Sequence, residues 1–317
     1  MAEASKGVLL WWAALSAVSL VNIAVYSWFA IDFARSKKPE ERYFHQWRRL
    51  QVLLSGIFVF GCAFRSFLPR TEAERLVLYD SWISAAPIAR IVATVAELAF
   101  VAQVALALHA CARSADSRVV RGVAWSMTPA IALAELFSWY SATTGNFIAS
   151  VFEESIWAVT FTLAMLGFAA LWGRFEGEVR RTVTFAILIA AGYVVFMCTV
   201  DIPMYWHRWL RDQAAGGHYF SWSEGWADSW SRRVLTRRWE DWRPEMPWMS
   251  LYFSFAVWVS IAMTWSTRLL FMRTPDGQKR APGRGSYEVA ASHFSALAPA
   301  NARTRSSSLA NSAAGPE

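Results

Sequence analysis

Seven long runs of apolar residues divide this chain, and more polar segments separate them. A run of about 20 apolar residues is long enough to cross the hydrocarbon core of a bilayer as an α-helix. We therefore predict seven membrane-spanning helices, at residues 7–33, 50–68, 84–110, 123–144, 147–172, 182–205 and 248–271. The first run has no small-residue cleavage site after it, which is typical of a retained helix and not of a signal peptide.

Composition agrees with a membrane protein, because 55% of the residues are hydrophobic and the chain has 19 Trp. The apolar runs are evenly spaced, and we predict one all-α bundle of about seven helices over residues 1–272. Residues 273–317 are rich in Ala, Ser, Pro, Gly and Arg and have no apolar period. This composition predicts a disordered tail.

Lys and Arg residues are distributed unevenly among the loops. Six lie in 34–49, and three each lie in 113–121 and 174–181, all on one side of a seven-span bundle. Basic loops are usually cytoplasmic, so we expect the N-terminus outside and the C-terminal tail in the cytoplasm. Loop 208–247 opposes this orientation with seven Arg, although it also has six acidic residues. The net charge of +7 lies largely in the cytoplasmic segments, which suits contact with anionic lipid and not with nucleic acid.

The loop at 206–247 is unusually rich in tryptophan. Eight of the 19 Trp lie between residues 206 and 248, and Trp222, Trp226 and Trp230 recur every four residues. This spacing places the three side chains on one face of a helix, and we predict an amphipathic helix at the outer surface. Two interpretations remain open: an aromatic belt that anchors the protein in the interface, or a lid over a binding cavity.

Charged residues inside the predicted spans are the strongest functional signal, because a charge at bilayer depth is costly. On the predicted topology they all fall in the outer half of the membrane. Six are candidates to line one ligand-binding or proton-relay cavity: Arg65, Arg90, Glu97, Glu135, Glu154 and Asp201. Within this set we expect Glu97 to pair with Arg90 or Arg65.

Carboxylates outnumber arginines in this set, which leaves two interpretations open. A buried network that only fixes helix packing would have to keep the excess carboxyls protonated, whereas a cationic ligand or a transferred proton would explain the excess directly. Glu135 and Asp201 lie on helices where no arginine has the same depth. Glu153 points about 100° away from its neighbour Glu154, and we expect it to face the headgroups.

Several other chemistries have no support in the sequence. The five His are scattered without metal-ligand spacing, so we expect no metal site. The three Cys lie in or beside spans and are expected to be buried apolar thiols: Cys62, Cys111 and Cys198. Every Lys lies outside the spans, which excludes a retinal-type Schiff base, and no phosphate-binding glycine loop is present. The sequence indicates no particular cofactor.

Three functions fit this pattern. The first is an integral membrane protein that binds or transports a small cationic or proton-coupled ligand in the outer acidic cavity. The second is an intramembrane enzyme that acts on a lipid or isoprenoid, with a protonated carboxyl as general acid. The third is a seven-helix sensor or scaffold that signals through its tail. The expected partners are the bilayer and a small cationic or hydrophobic ligand.

Overall fold

The computed structural model describes residues 6–35 and 42–271, with side chains described over 6–35 and 45–265. The predicted disordered tail at 273–317 therefore lies outside the described residues, as do the basic residues of 36–41. The described part is helical except for loops and two strands of two residues each, Leu76–Val77 (β1) and Val234–Leu235 (β2). The prediction of an all-α fold is confirmed.

Long helices run back and forth and account for most of the described chain. In order, the α-helices are α1 (Lys6–Arg35), α2 (Arg42–Phe67), α3 (Ala86–Ser114), α4 (Arg118–Thr144), α5 (Phe147–Trp172), α6 (Gly177–Phe196), α7 (Ile202–Ala214), α8 (Trp222–Ser231), α9 (Trp239–Trp242), α10 (Met246–Ser250) and α11 (Val257–Phe271). A 3₁₀ turn at Trp82–Ser84 precedes α3.

Among the described residues, six helical stretches are long and apolar enough to cross a membrane, judged by length and composition. They are Lys6–Arg35, His45–Phe67, Ala86–Ser114, Phe147–Trp172, Gly177–Ala214 and Met246–Trp265. These stretches indicate an integral membrane protein. The predicted fourth span coincides with α4, which has 27 residues but is not among the six. The count of seven spans therefore stays a prediction.

Two π-helical segments extend the last two spans. Met197–Asp201 joins α6 to α7, and Leu251–Ala256 joins α10 to α11. The predicted span at 182–205 lies within a longer helical stretch, Gly177–Ala214. Cys198 lies in the first π-helical segment and is exposed, so the expectation that all three thiols are buried is wrong for this residue. π-Helical turns are frequent at functional sites, and Asp201 ends the first one.

A tight turn sets α4 and α5 side by side. Gly145 ends α4 with φ 77°, a left-handed conformation that glycine adopts without strain. Asn146 then caps α5, because its side chain accepts a hydrogen bond from the backbone N–H of Ile148 at 3.1 Å. The short turn brings Ser141 of α4 and Ser150 of α5 within 2.7 Å. The acidic residues of both helices consequently face the same interior.

A buried polar network joins α2, α3 and α11. Gln103 donates to both the backbone oxygen and Oε1 of Gln51 at 3.1 Å, and Gln51 donates back to the Gln103 carbonyl at 3.1 Å. Ser260 donates to Gln103 Oε1 and lies 3.0 Å from Ser55 Oγ. Because each polar group of this network has a partner among the described residues, the network fixes the mutual position of the three helices.

The loop between α2 and α3 folds over the end of the bundle at which α1 begins. β1 in this loop pairs in parallel with β2, which follows α8, with Leu76 opposite Val234. Trp12 of α1 donates to the Phe67 carbonyl at 3.2 Å, which places the start of α1 at the same end. Two segments that are distant in sequence, 68–85 and 206–245, thus form one cover over this end of the bundle.

The side chain of Arg75 holds this cover on α4. The last four carbonyl groups of an α-helix have no partner within the helix. In α4, two of these groups accept from Arg75, at Ala142 and Thr143, and the other two accept from the backbone N–H groups of Gly145 and Phe220. Arg75 also pairs with Asp228 of α8 at 3.0 Å. One buried guanidinium therefore terminates α4 and attaches α8 to it.

Candidate functional site

A cavity of about 100 Å³ lies beneath the cover, between α2, α3, α4, α5 and α7. Of the described residues, seven with carboxylates line it: Glu72, Glu74, Glu97, Glu153, Glu154, Asp201 and Glu245. Four arginines line it as well: Arg65, Arg70, Arg90 and Arg208. The lining therefore has three more acidic than basic groups, and these charges form two clusters.

The first cluster surrounds Arg90, on the first turns of α3. The Arg90 guanidinium lies 3.3 Å from Glu72, 3.2 Å from Glu97 and 3.9 Å from Glu153. It also lies 3.2 Å from Glu135 of α4 and donates to Ser138 Oγ. We call these residues the Arg90 cluster. One buried cation thus contacts four carboxylates, so its own charge cannot neutralise them all.

Arg65, near the end of α2, is the second cation of the Arg90 cluster. It lies 3.3 Å from Glu72 and 3.5 Å from Glu97. Its guanidinium lies over the rings of Trp248 and Phe253, at 5.6 and 5.5 Å from the ring centroids. Such cation–π contacts stabilise a buried guanidinium and fix its orientation.

Glu135 is oriented by polar neighbours on α3 and α4. Thr94 Oγ1 donates to Glu135 Oε2 at 2.5 Å, and the Trp139 indole N–H donates to Thr94 Oγ1 at 3.1 Å. Trp139 in turn lies 6.3 Å from the ring of Trp226 on α8. The cover and the Arg90 cluster are therefore connected by contiguous side-chain contacts.

The second cluster surrounds Arg208 of α7. Arg208 lies 2.8 Å from Glu74 in the α2–α3 loop and 2.5 Å from Glu245, just before α10. The Trp248 indole N–H donates to the other oxygen of Glu245 at 2.6 Å. We call these residues the Arg208 cluster. It joins α7, α10 and the loop, and its Trp248 ring contacts Arg65 of the Arg90 cluster.

The acids of the loop differ in their electrostatic surroundings. Burial raises the pKa of the Glu72 carboxyl, but the guanidinium groups of Arg90, Arg65 and Arg70 outweigh burial, and the pKa lies below its ordinary value. The pKa of Glu74 is raised, first by burial and then by the nearby carboxylate of Glu245. Glu72 is therefore an anion that its neighbours stabilise, whereas Glu74 takes up a proton more readily than a free glutamate.

The structure brings the predicted site residues together. Glu97, Glu154, Asp201, Arg65 and Arg90 all line the cavity, and Glu135 contacts Arg90 directly behind it. Glu97 was expected to pair with Arg90 or Arg65, and it lies within ion-pair distance of both.

Two expectations about individual acids need correction. Glu135 was expected to have no arginine at its depth, but Arg90 reaches it from α3 at 3.2 Å. Glu153 was expected to face the headgroups, but it is buried and lines the cavity together with Glu154. The cavity wraps around this turn of α5, and both side chains reach it although they diverge by about 100°.

The three tryptophans considered as a lid lie on α8, outside the lining of the cavity. Trp222, Trp226 and Trp230 are each about half exposed, and the buried residues of α8 are Gly225 and Ser229. A Cβ built on Gly225 would lie 2.2 Å from the Thr143 carbonyl oxygen. α8 therefore contacts α4 through its glycine face. Whether the tryptophans gate the cavity stays a prediction.

Sequence reasoning missed the contributions of the loops. Glu72, Glu74 and Arg70 lie in the α2–α3 loop, and Glu245 and Arg208 lie in or beside the Trp-rich segment. The sequence feature that marks these loop residues is a high density of charge, since four of the six residues from Arg70 to Arg75 are charged. In a sequence, such a stretch is typical of a solvated loop, and only the fold shows that it turns inward.

Glu97, Glu135 and Glu153 also form a group of the kind that can hold a metal ion, although the sequence indicated no metal site. Their potential ligand atoms lie within 4.8 Å of one another, and carboxylates suit Mg²⁺, Ca²⁺ or Mn²⁺. The Arg90 guanidinium contacts all three side chains. In this geometry Arg90 supplies the positive charge that a metal ion would bring.

Comparison of the chain with models of protein families, with curated proteins and with solved structures gives no match. The residues of the cavity are therefore the basis for a proposed function.

Proposed function

We propose that this chain is a multi-pass membrane protein that binds, and transports, a small cationic or proton-coupled ligand in the acidic cavity. In this proposal the helices form seven spans in the bilayer, with the N-terminus and the cavity on the outer side. The cytoplasmic position of the C-terminus follows from the same argument. The basic loops support this orientation.

One observation carries the proposal: seven carboxylates and four guanidinium groups line a single cavity beneath the cover. Buried charges are tolerated when they are paired, so the excess acids require protons or an external cation. Glu154 and Asp201 are the natural contacts, because no described arginine lies within ion-pair distance of either side chain, whereas the other five acids of the lining each contact at least one arginine.

An enzyme acting on a lipid or isoprenoid is less well supported. The cavity has a volume of about 100 Å³ and a strongly charged lining, and such a space suits a compact polar ligand better than an acyl or isoprenoid chain. A sensor that signals through residues 273–317 rests on a segment outside the described residues.

Calorimetry with methylammonium, a compact cation, tests the proposal on the purified full-length protein. We expect saturable binding, and a different binding enthalpy in buffers of different ionisation enthalpy, because bound cation displaces protons from the carboxyls. Asp201→Asn and Glu154→Gln should each weaken binding by about tenfold or more, since each removes a carboxylate that contacts the ligand charge.

Glu178→Gln is the matched control, because Glu178 is an exposed acid at the far end of α6 that pairs with Arg181. This variant should bind methylammonium as the wild type does. If the wild type does not bind methylammonium, or if the site variants bind it as tightly as the control, the proposed function is wrong.

A further inference from the structure

The cavity contains one arginine that differs from the other three. Arg65, Arg90 and Arg208 each pair with at least two carboxylates. Arg70 is 2% exposed, and its Nε, Nη1 and Nη2 have no hydrogen-bond partner among the described residues. Leaving a buried guanidinium unpaired is costly, so this side chain requires a partner.

The position of Arg70 is fixed by the backbone around it. Arg70 forms an antiparallel bridge with Val77, and the Thr71 N–H donates to the Leu76 carbonyl at 3.0 Å. The Leu78 N–H donates to the Pro69 carbonyl at 3.4 Å. These bonds form a closed turn, and Arg70 is one of the residues that line the cavity.

The charges around Arg70 favour an anion. Burial lowers the pKa of the Arg70 guanidinium to about 10, so it remains cationic at neutral pH. Three further arginines raise the positive potential at this position, and Glu72 is the acid that acts against them. Both oxygens of Glu72 are already used, Oε1 by Arg65 and Oε2 by Arg90. The protein therefore supplies no free carboxylate to Arg70.

We infer that the cavity recognises a small zwitterion, such as a compact amino acid. The carboxylate of this ligand binds Arg70, and its ammonium group contacts the cavity-lining carboxylates of Glu154 and Asp201. This inference rests on the proposed function and names its ligand class. The planar guanidinium fork binds a carboxylate through two parallel hydrogen bonds. The volume of about 100 Å³ corresponds to about three water molecules, which suits a ligand of a few heavy atoms.

The test compares three probes of similar size on the purified full-length protein: glycine as zwitterion, methylammonium as cation and acetate as anion. We expect glycine to bind at least about tenfold more tightly than methylammonium, because it adds a charge-assisted pair, and acetate to bind most weakly. Arg70→Gln should reduce glycine affinity to about the level of methylammonium, and it should tighten methylammonium binding because it removes a positive charge from the lining. Arg211→Gln, at an exposed arginine of α7, should change neither.

Stability provides a second readout. Without added ligand, Arg70→Gln should melt at the same temperature as the wild type or higher, because it removes an unpaired buried charge. A much lower melting temperature would show that Arg70 has a structural partner and overturn the inference. Equal affinities of the wild type for glycine and methylammonium would also overturn the inference. The same holds if Arg70→Gln leaves the ratio of these two affinities unchanged. The proposed function would then be tested by methylammonium binding alone.

Discussion

At the scale of the residue, Arg75 makes the most consequential contacts of the cover. Its guanidinium is fully buried, donates to two carbonyl oxygens at the end of α4 and pairs with Asp228 of α8. Breaking a buried pair leaves an uncompensated charge and costs about 3 to 5 kcal/mol. We expect Arg75→Met to lower the free energy of unfolding by about this amount, measured by chemical denaturation in detergent.

Arg232 is the matched control for Arg75, because it pairs with the same Asp228 at 3.0 Å but is about half exposed. Exposed pairs contribute about 1 kcal/mol or less, so Arg232→Met should have a small effect. Equal effects of the two substitutions would show that the termination of α4 by Arg75 contributes nothing to stability.

Glu72 predicts a pH dependence with a defined sign. Its pKa is lower in the folded protein than in the unfolded chain, because burial is outweighed by Arg90, Arg65 and Arg70. The stabilisation is therefore fully present above the ordinary glutamate pKa and is lost as pH falls through the lowered value. The melting temperatures of wild type and Glu72→Gln should differ most near about pH 7 and converge toward about pH 3. A difference that grows on acidification would contradict the assignment.

Residue chemistry shows how far the sequence could predict the site. The intramembrane position of Glu97, Arg90 and Asp201 follows from hydropathy alone, because charges in apolar runs stand out. The unpaired state of Arg70 does not, since it depends on Glu72 being shared between Arg65 and Arg90. Which charged side chains pair depends on which of them lie close together in the fold. The loop sequence alone would allow several other pairings.

At the scale of the element, α8 is attached to α4 through a glycine. Gly225 allows the α8 backbone to approach Thr143, and any side chain there would meet the Thr143 carbonyl oxygen at 2.2 Å. Gly225→Ala should therefore separate α8 from α4 and lower the melting temperature. Gly192→Ala in α6, where a Cβ meets nothing within 4 Å, should be neutral or stabilising, because alanine favours helix more than glycine does.

The helices and the cover differ in how far sequence predicts them. Long apolar runs predict helices because the bilayer requires internal hydrogen bonding, and the observed helices match those runs apart from their ends and the π-helical segments. The pairing of Leu76 with Val234 joins residues in separate loops. Strands of two residues have no detectable periodicity, so this contact could not be predicted.

If Gly225→Ala melts at the same temperature as the wild type, the strand pairing and Arg75 hold the cover in place, and the contact of Gly225 with Thr143 does not.

At the scale of the whole molecule, the orientation in the membrane decides which compartment supplies the ligand. The cavity lies at the end of the bundle where α1 begins and beneath the Trp-rich cover, so both face the same side. We expect that side to be extracytoplasmic, because the loops at the other end carry most of the arginines outside the cover. A cysteine in an exposed part of α8 reports this directly. Ser223 and Ala227 are exposed and suitable, whereas Gly225 is excluded by its contact with Thr143.

The labelling requires a background without the exposed native thiol, Cys198→Ser, while Cys62 and Cys111 are buried and can remain. In intact cells, Ser223→Cys and Ala227→Cys should react with a membrane-impermeant maleimide. A cysteine at Glu178, an exposed residue at the opposite end of α6, should react only after permeabilisation. The reverse pattern would place the cavity on the cytoplasmic side. In that case the seven arginines of 208–247 would mark the cytoplasmic side, and the cavity would bind its ligand from the cytoplasm.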